Sequence, residues 1–424
     1  MMSRFLLFLS VCFTAAAAPR DDSFPSLPNI KGLQVQMVED ALALGIHHAG
    51  VNVNLTALLD PSKNPDSPKH SAAGREFHFS AGYLASLDAQ VKPLSDKGVL
   101  VYLILLAYPS KDAARDAVCI HPGARKDYSY SVGAFNTGTE EGRAYLAAVT
   151  EFLAARWSGA QPEHGRVWGW IVGNEVNSHW LWYNMGRVSL AEAVSEFEKA
   201  YRIMHIAVRK ASAHARLYIP FDHHWAISMP GISAEESTPG RDFLDAFAAK
   251  VCERGDLQWH VAAHPYPEDL GNPRAWADKG ITFDDATPKV TFKNLEVLCR
   301  HLERAELLWQ KKPRRIILSE QGFHTLLTPD GEQLQAAGFA YAWEKCRRLP
   351  VVDALIYHRH VDHAHEGGLR LGLWRNAPHS VSTPHSRKQL YELFQKAGTP
   401  AWDEAAKFAL PLAGLKTWDE LAPR

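Results

Sequence analysis

The nine residues Val99–Ala107, VLVYLILLA, constrain this chain more than any other segment. A run with no charged or amide side chain suits a strand that is buried on both faces. Such strands belong to parallel sheets covered by helices. A helical pattern at Tyr83–Lys97, ended by Gly98, leads into this run, and the same unit then recurs along the chain. Helical patterns at Val35–Leu44, Thr139–Trp157, Leu190–His214, Asp242–Arg254, Phe292–Gln310 and Gly331–Arg348 alternate with apolar segments at Ile46–Leu55, Val167–Asn174, Leu217–Phe221, Trp259–Ala263, Arg315–Ser319 and Ala354–Tyr357. Ser386–Lys396 reads as a closing helix. Ser189 followed by Glu192 has the spacing of a capping box, and Thr139 stands before two glutamates as a cap.

Strands alternating with helices, and no run of adjacent hairpins, predict an α/β fold: a single-domain (β/α)8 TIM barrel over residues 33–424 with a C-terminal tail. Seven strands are evident. A closed barrel needs eight, and Glu76–Phe79 is the candidate for the missing one. A doubly wound open sheet is the alternative, although no glycine-rich dinucleotide fingerprint follows the first strand.

The N-terminus reads as a signal peptide over residues 1–18: Arg4 gives a positive start, Phe5–Phe13 an apolar run, and Ala15–Ala18 small residues for cleavage. That predicts a secreted or periplasmic protein, without a lipid anchor at Cys12, because Val11 is a poor neighbour for one. Residues 19–32 read as an N-terminal arm. A formal net charge of -1 gives no reason to expect nucleic acid or a membrane surface as partner. The remaining cysteines, Cys119, Cys252, Cys299 and Cys346, lack zinc-site spacing and read as unpaired. Thirteen tryptophans and 21 histidines are the unusual part of the composition. Flat apolar rings among polar side chains suit a carbohydrate, whose rings have C–H faces and hydroxyl edges.

Barrel chemistry sits at the C-terminal strand ends. Two carboxylates fall there: Val167–Val172 runs into Gly173-Asn174-Glu175, and Ile316–Leu318 into Ser319-Glu320. Cleaving a glycosidic bond needs one carboxyl to protonate the leaving oxygen and another to attack the anomeric carbon or activate water. Glu175, amid Trp168, Trp170, Trp180 and Trp182, is expected to have the raised pKa of the acid. Arg314 and Arg315 are expected at the opposite end of the strand that carries Glu320.

The string WGWIVGNEVN resembles the fourth-strand signature of the retaining glycoside hydrolase barrels of clan A, and RIILSEQGF resembles their nucleophile segment. The resemblance implies Glu175 as acid/base, Asn174 as a sugar ligand, and Glu320 as nucleophile. His264-Pro265-Tyr266 is similar to the clan's sixth-strand His-x-Tyr, which implies a Tyr266 contact to Glu320. GLQVQMVEDALALGIHHAGVNVNL and GNEVNSHWLWYNMG also resemble a bacterial family of unknown function grouped with these barrels. The chain departs from the clan in lacking an Arg at the second strand end and in having Tyr357-His358-Arg359-His360 where many members place a Trp. Asn54, Tyr108, Asn177, Trp180, His224, His264, Tyr266 and His358 complete the expected substrate-binding set. No cofactor or metal is expected. A retaining pair predicts carboxyl groups about 5–5.5 Å apart.

Two rival readings stay open. His358-Arg359-His360, His363-Ala364-His365 and Asp222-His223-His224 could serve a metal-dependent hydrolase. A carbohydrate-binding barrel without catalysis is the other.

Overall fold

The computed structural model describes residues 19–127, 132–161 and 163–421. The signal peptide and Cys12 lie outside the described residues. Eight strands close a parallel barrel: β1 Lys31–Gln34, β2 His48–Asn54, β3 Leu100–Leu106, β4 Val167–Val172, β5 Arg216–Phe221, β6 Trp259–Ala263, β7 Ile316–Leu318 and β8 Val352–Tyr357. Each pairs in parallel with its sequence neighbour, and β1 closes on β8. The expected barrel is therefore the one observed.

The missing strand is not Glu76–Phe79. Arg75–His78 pairs antiparallel with Lys69–Ala72 in a hairpin outside the barrel, with Phe77 edge-on to Tyr145 at 5.4 Å. The eighth strand is β1, KGLQ, which begins inside the segment expected to be an arm. Four residues with Lys and Gln at their ends give no apolar run to detect. Lys31 is buried nonetheless; its Nζ donates to the carbonyls of Leu44 (2.9 Å) and Gln395 (3.2 Å), and burial pulls its pKa down to about 8.

The side-chain period of two sorts each strand. One set, with Tyr102, Ile104, Tyr218, Ala262, Ile317 and Ile356, fills the barrel interior. The alternate set packs under the helices, among them Leu103, Trp170, Leu217 and Trp259. The helix at Leu190–Ala211 opens with the full capping box of Ser189 and Glu192, and Thr139 caps Glu140–Trp157. The expected helix at Phe292–Gln310 is shorter: only Glu296–His301 is α-helical, with a 3-10 turn at Ala305–Leu307. Asn294 explains the late start. Its carbonyl accepts from Thr291 N (2.8 Å), and its amide donates to Thr282 and Lys289 carbonyls, so Thr291–Asn294 is a turn. Ser386 and Arg387 belong to a strand, Pro384–Arg387, paired with Trp374–Asn376, and the closing helix is Gln389–Lys396. All four described cysteines are free thiols. No helix among the described residues is long and apolar enough to cross a membrane.

Candidate active site

Every barrel strand delivers its last residues to one rim. After β4 the chain turns sharply, with φ 86° at Gly173 and 37° at Glu175. Gly173 is required twice over, because a Cβ there would also lie 2.7 Å from the Tyr183 ring. A left-handed non-glycine residue costs about 1 kcal/mol; the turn at Glu175 brings its carboxyl to β6. Backbone pairing continues past the strand ends, from His264 N to Phe221 O (2.9 Å) and from Ser319 N to Ala263 O (3.2 Å), and holds these residues in register.

The His264 ring bridges two elements: Nδ1 lies 2.9 Å from Glu175 Oε1 and Nε2 lies 3.0 Å from Ser319 Oγ. Tyr266 donates its hydroxyl proton to Glu320 Oε1 at 3.2 Å. One carboxylate oxygen from each glutamate and one ring nitrogen of His264 lie within 4.8 Å of one another. Glu175, Glu320, His264 and Tyr266 thus meet at one end of the barrel.

The surroundings of the two glutamates differ. Glu175 is buried, and that loss of solvent pushes its pKa up to about 7; His264 opposes the shift, while the charges of Asp222 and Glu320 add to it. Burial disfavours the charged imidazole of His264, but its bond to Glu175 and the charge of Glu320 outweigh this and raise its pKa. The two groups are one coupled pair, and the direction that matters chemically is the rise at Glu175. Burial, then the Glu320 charge, keep the Tyr266 phenol protonated. The expected rise at Glu175 comes from burial, as the sequence suggested, but two of the four tryptophans do not supply it. Trp168 faces the far end of the barrel, edge-on to Phe24 at 5.6 Å, and Trp170 points outward under the helices. Only Trp180 and Trp182 stand on the loop after Glu175, half-buried.

The other expected ligands divide. Asn174 is 8% exposed, and among the described residues its side chain has no hydrogen-bond partner, which leaves its amide for a ligand. Tyr108 is 39% exposed; desolvation, then the Glu320 charge, push its phenol up to about 12. Asn54 caps Leu55–Leu58 with its carbonyl, which also accepts from Tyr108 N (3.3 Å). Asn177 is not available to a substrate. It is fully buried, and its amide binds Asp222 Oδ1 (2.8 Å) and the Thr238 carbonyl (3.4 Å). His224 is buried with Nδ1 3.1 Å from Asp222 Oδ2. His358 is held by Gln34 Oε1 (2.8 Å) and Glu366 Oε1 (3.1 Å). Burial would raise the pKa of Glu366, but His358 and Arg359 outweigh it and hold the carboxylate at about 2.

Sequence reasoning missed Gln34, Ser319 and Glu366. Gln34 Nε2 donates to Ser319 O (3.2 Å), so one amide ties β1 and His358 to the Glu320 segment. No signal could mark Gln34 while β1 itself was unread. Gln34, Asn52 and Arg359 also line a cavity of about 350 Å³ at this rim. The histidine pairs do not converge. His360 is spent on Asp40 (2.9 Å), and among the described residues the one group of three with metal-binding spacing is Glu175, His264 and Glu320. Arg314 and Arg315 lie at the opposite strand end, as expected, on Asp256 (2.8 Å) and Asp353 (3.0 Å).

The chain matches, over residues 23–421, a family described as a family of unknown function, DUF5722. No curated protein matches it. Among solved structures it is similar to a family 39 glycoside hydrolase from the gut symbiont Bacteroides cellulosilyticus WH2, at 14% identity and TM-score 0.56, over 90% of this chain and 66% of that one. It is similar to a family 1 β-glucosidase from Thermotoga maritima at 11% identity and TM-score 0.55, over 87% and 85% of the two chains. A hyperthermophilic β-glucosidase from Pyrococcus furiosus gives 13% identity and TM-score 0.52, over 88% and 86%. At these identities the likeness is one of fold.

Proposed function

Since the chain belongs to the DUF5722 family, whose description carries no activity, we propose its function from the rim chemistry: it is a glycoside hydrolase that cleaves O-glycosidic bonds by double displacement with retention. The observation that carries this reading is the pairing of two glutamates in unlike surroundings, with carboxylate oxygens within 4.8 Å of each other. That approach lets an acid and a nucleophile act on one anomeric centre. Fold likeness to glycoside hydrolases of families 39 and 1 supports it.

In the first step Glu320 attacks the anomeric carbon, and the bond to the leaving oxygen breaks as Glu175 gives that oxygen its proton. His264 occupies Glu175 Oε1, so Oε2 is the oxygen left to face the substrate. Tyr266 holds the other side of the reaction by fixing Glu320 Oε1. In the second step Glu175 takes a proton from water, whose oxygen bonds to the anomeric carbon, and the ester to Glu320 breaks. Asn174, Tyr108, Trp180 and the rim cavity would bind the sugar, with His358 fixed behind them by Gln34 and Glu366. The test is a panel of aryl glycosides and polysaccharides, with the anomeric configuration of the first-formed product read by NMR. Retention is expected; an inverted first product, or no glycoside turned over, would overturn the reading.

A second reading rests on the same residues, because Glu175, His264 and Glu320 have the spacing to hold a divalent cation for metal-assisted hydrolysis. Against it, both nitrogens of His264 already have protein partners. Export through the N-terminal segment is part of the proposal; secreted protein should begin near Ala18 on N-terminal sequencing, and an intact Met1 in the mature protein would contradict it.

A further inference from the structure

The short helix between β6 and β7 leaves an opening at the N-terminal end of the barrel, far from the glutamate pair. The chain closes it only with a tight turn, in which Trp309 N and Lys312 N each donate to the other's carbonyl (2.9 and 3.0 Å). Behind the turn lies a cavity of about 680 Å³, with His260, Arg216 and Arg315 on its inner wall and Trp309 and Leu349 farther out. Such a volume is within the range of small-molecule pockets. His260 is 4% exposed, and its Nε2 has no partner among the described residues.

We propose that this cavity binds a small organic oxyanion with an apolar body, of the aryl carboxylate type, whose head is taken by His260 Nε2 and the guanidinium groups of Arg216 and Arg315. The tautomer follows from the backbone. Arg315 N donates to His260 Nδ1 at 3.0 Å, so the proton of the neutral ring is on Nε2. The ring is neutral, because burial and then the nearby charges of Arg216, Arg314 and Arg315 hold its pKa well below the ordinary range. A buried N–H donor without an acceptor is costly, and an oxyanion would supply that acceptor.

Charge points the same way. Arg216 and Arg315 share one carboxylate, Asp353, at 2.7 and 3.0 Å. Asp353 lines the neighbouring cavity under the N-terminal arm and not this one. Glu296 and Glu303 also line the cavity, but Glu296 is paired with Lys345 at 2.6 Å, and Arg300 and Lys312 stand on the same lining as Arg216 and Arg315, so its cations outnumber its carboxylates. Water could fill the space and accept the His260 proton, but it would not balance that charge. The outer wall of Trp309, Leu349 and Val351 gives a flat apolar surface for the body of the ligand.

The test is calorimetric titration of benzoate into the whole purified protein at low ionic strength. The expected result is saturable one-to-one binding that weakens with added salt and is unchanged in Glu320→Gln, which separates it from the catalytic rim. Arg315→Gln should weaken it about tenfold or more. Because that substitution removes one of the two arginines that hold Asp353 and could harm folding, Trp309→Ala is the second variant; it changes a surface turn and should weaken benzoate while leaving inorganic phosphate binding unaltered. Absence of saturable benzoate binding to the wild-type protein would overturn the proposal, as would binding that neither variant weakens.

Discussion

One proton on one side chain governs the proposed chemistry. With its pKa raised to about 7 by burial, Glu175 keeps its proton below neutral pH and loses it as pH rises through 7. The first step needs that proton, so kcat/KM should be full below pH 7 and should fall as pH rises through it. Glu175→Gln should remove this alkaline limb and cost about 10²–10⁴-fold on substrates with poor leaving groups, with a smaller loss on activated aryl glycosides. An unchanged limb in that variant would assign the titration elsewhere. Glu320→Ala should stop turnover outright, since no ester can form, and added azide should yield a glycosyl azide of inverted configuration. If azide gives no such product while the variant remains folded, Glu320 is not the nucleophile. Asn177 teaches a different lesson. It lies two residues past Glu175 and reads as a sugar ligand, but it anchors Asp222, a carboxylate whose charge helps raise the Glu175 pKa. Sequence alone could not separate a ligand from its support, because burial decides which of the two it is.

At the scale of elements, what was legible followed the apolar signal. β3 and β4 are fully buried and stand out as unbroken hydrophobic runs, and β5 and β6 are mostly apolar, interrupted by Arg216 and His260. β1 was hidden because its four residues owe their place to barrel closure between β2 and β8, a long-range pairing that local pattern does not encode. The hairpin at Lys69–Ala72 and Arg75–His78 was misread for the opposite reason: EFHF looks like a barrel strand, but its one buried edge packs on a helix. The arm also has a physical role. Phe24 packs on Trp168, Arg216 sits 3.7 Å above the Phe24 ring, Asp22 pairs with Arg166 (3.0 Å), and Asn29 O meets His48 Nε2 (3.2 Å). The arm thus plugs the N-terminal end of the barrel. Phe24→Ala should cost about 2 kcal/mol by lost packing and cation–π contact, measured as a lower urea midpoint. KM should not change, because the plug is at the end away from Glu175; a raised KM with unchanged stability would refute this division.

The whole molecule divides along the barrel axis, with carboxylates, tyrosines and amides at one end and arginine-rich ion pairs at the other. That polarity was readable once strand ends were known, since a parallel barrel puts every C-terminal end on one face. It also frames the choice between acid–base and metal chemistry, because the only group with metal-binding spacing among the described residues is the proposed catalytic pair with His264. A cation there would have to displace the proton shared by Glu175 and His264 and compete with Ser319 for the ring. It would remove the acid that the first step requires. Exhaustive chelation should therefore leave glycosidase activity intact, and micromolar zinc should inhibit, more strongly as pH rises and the pair loses its proton. Ser319→Ala should sharpen zinc inhibition by freeing His264 Nε2. Activity lost to a chelator and restored by zinc would reverse the assignment and make Glu175, His264 and Glu320 a metal centre.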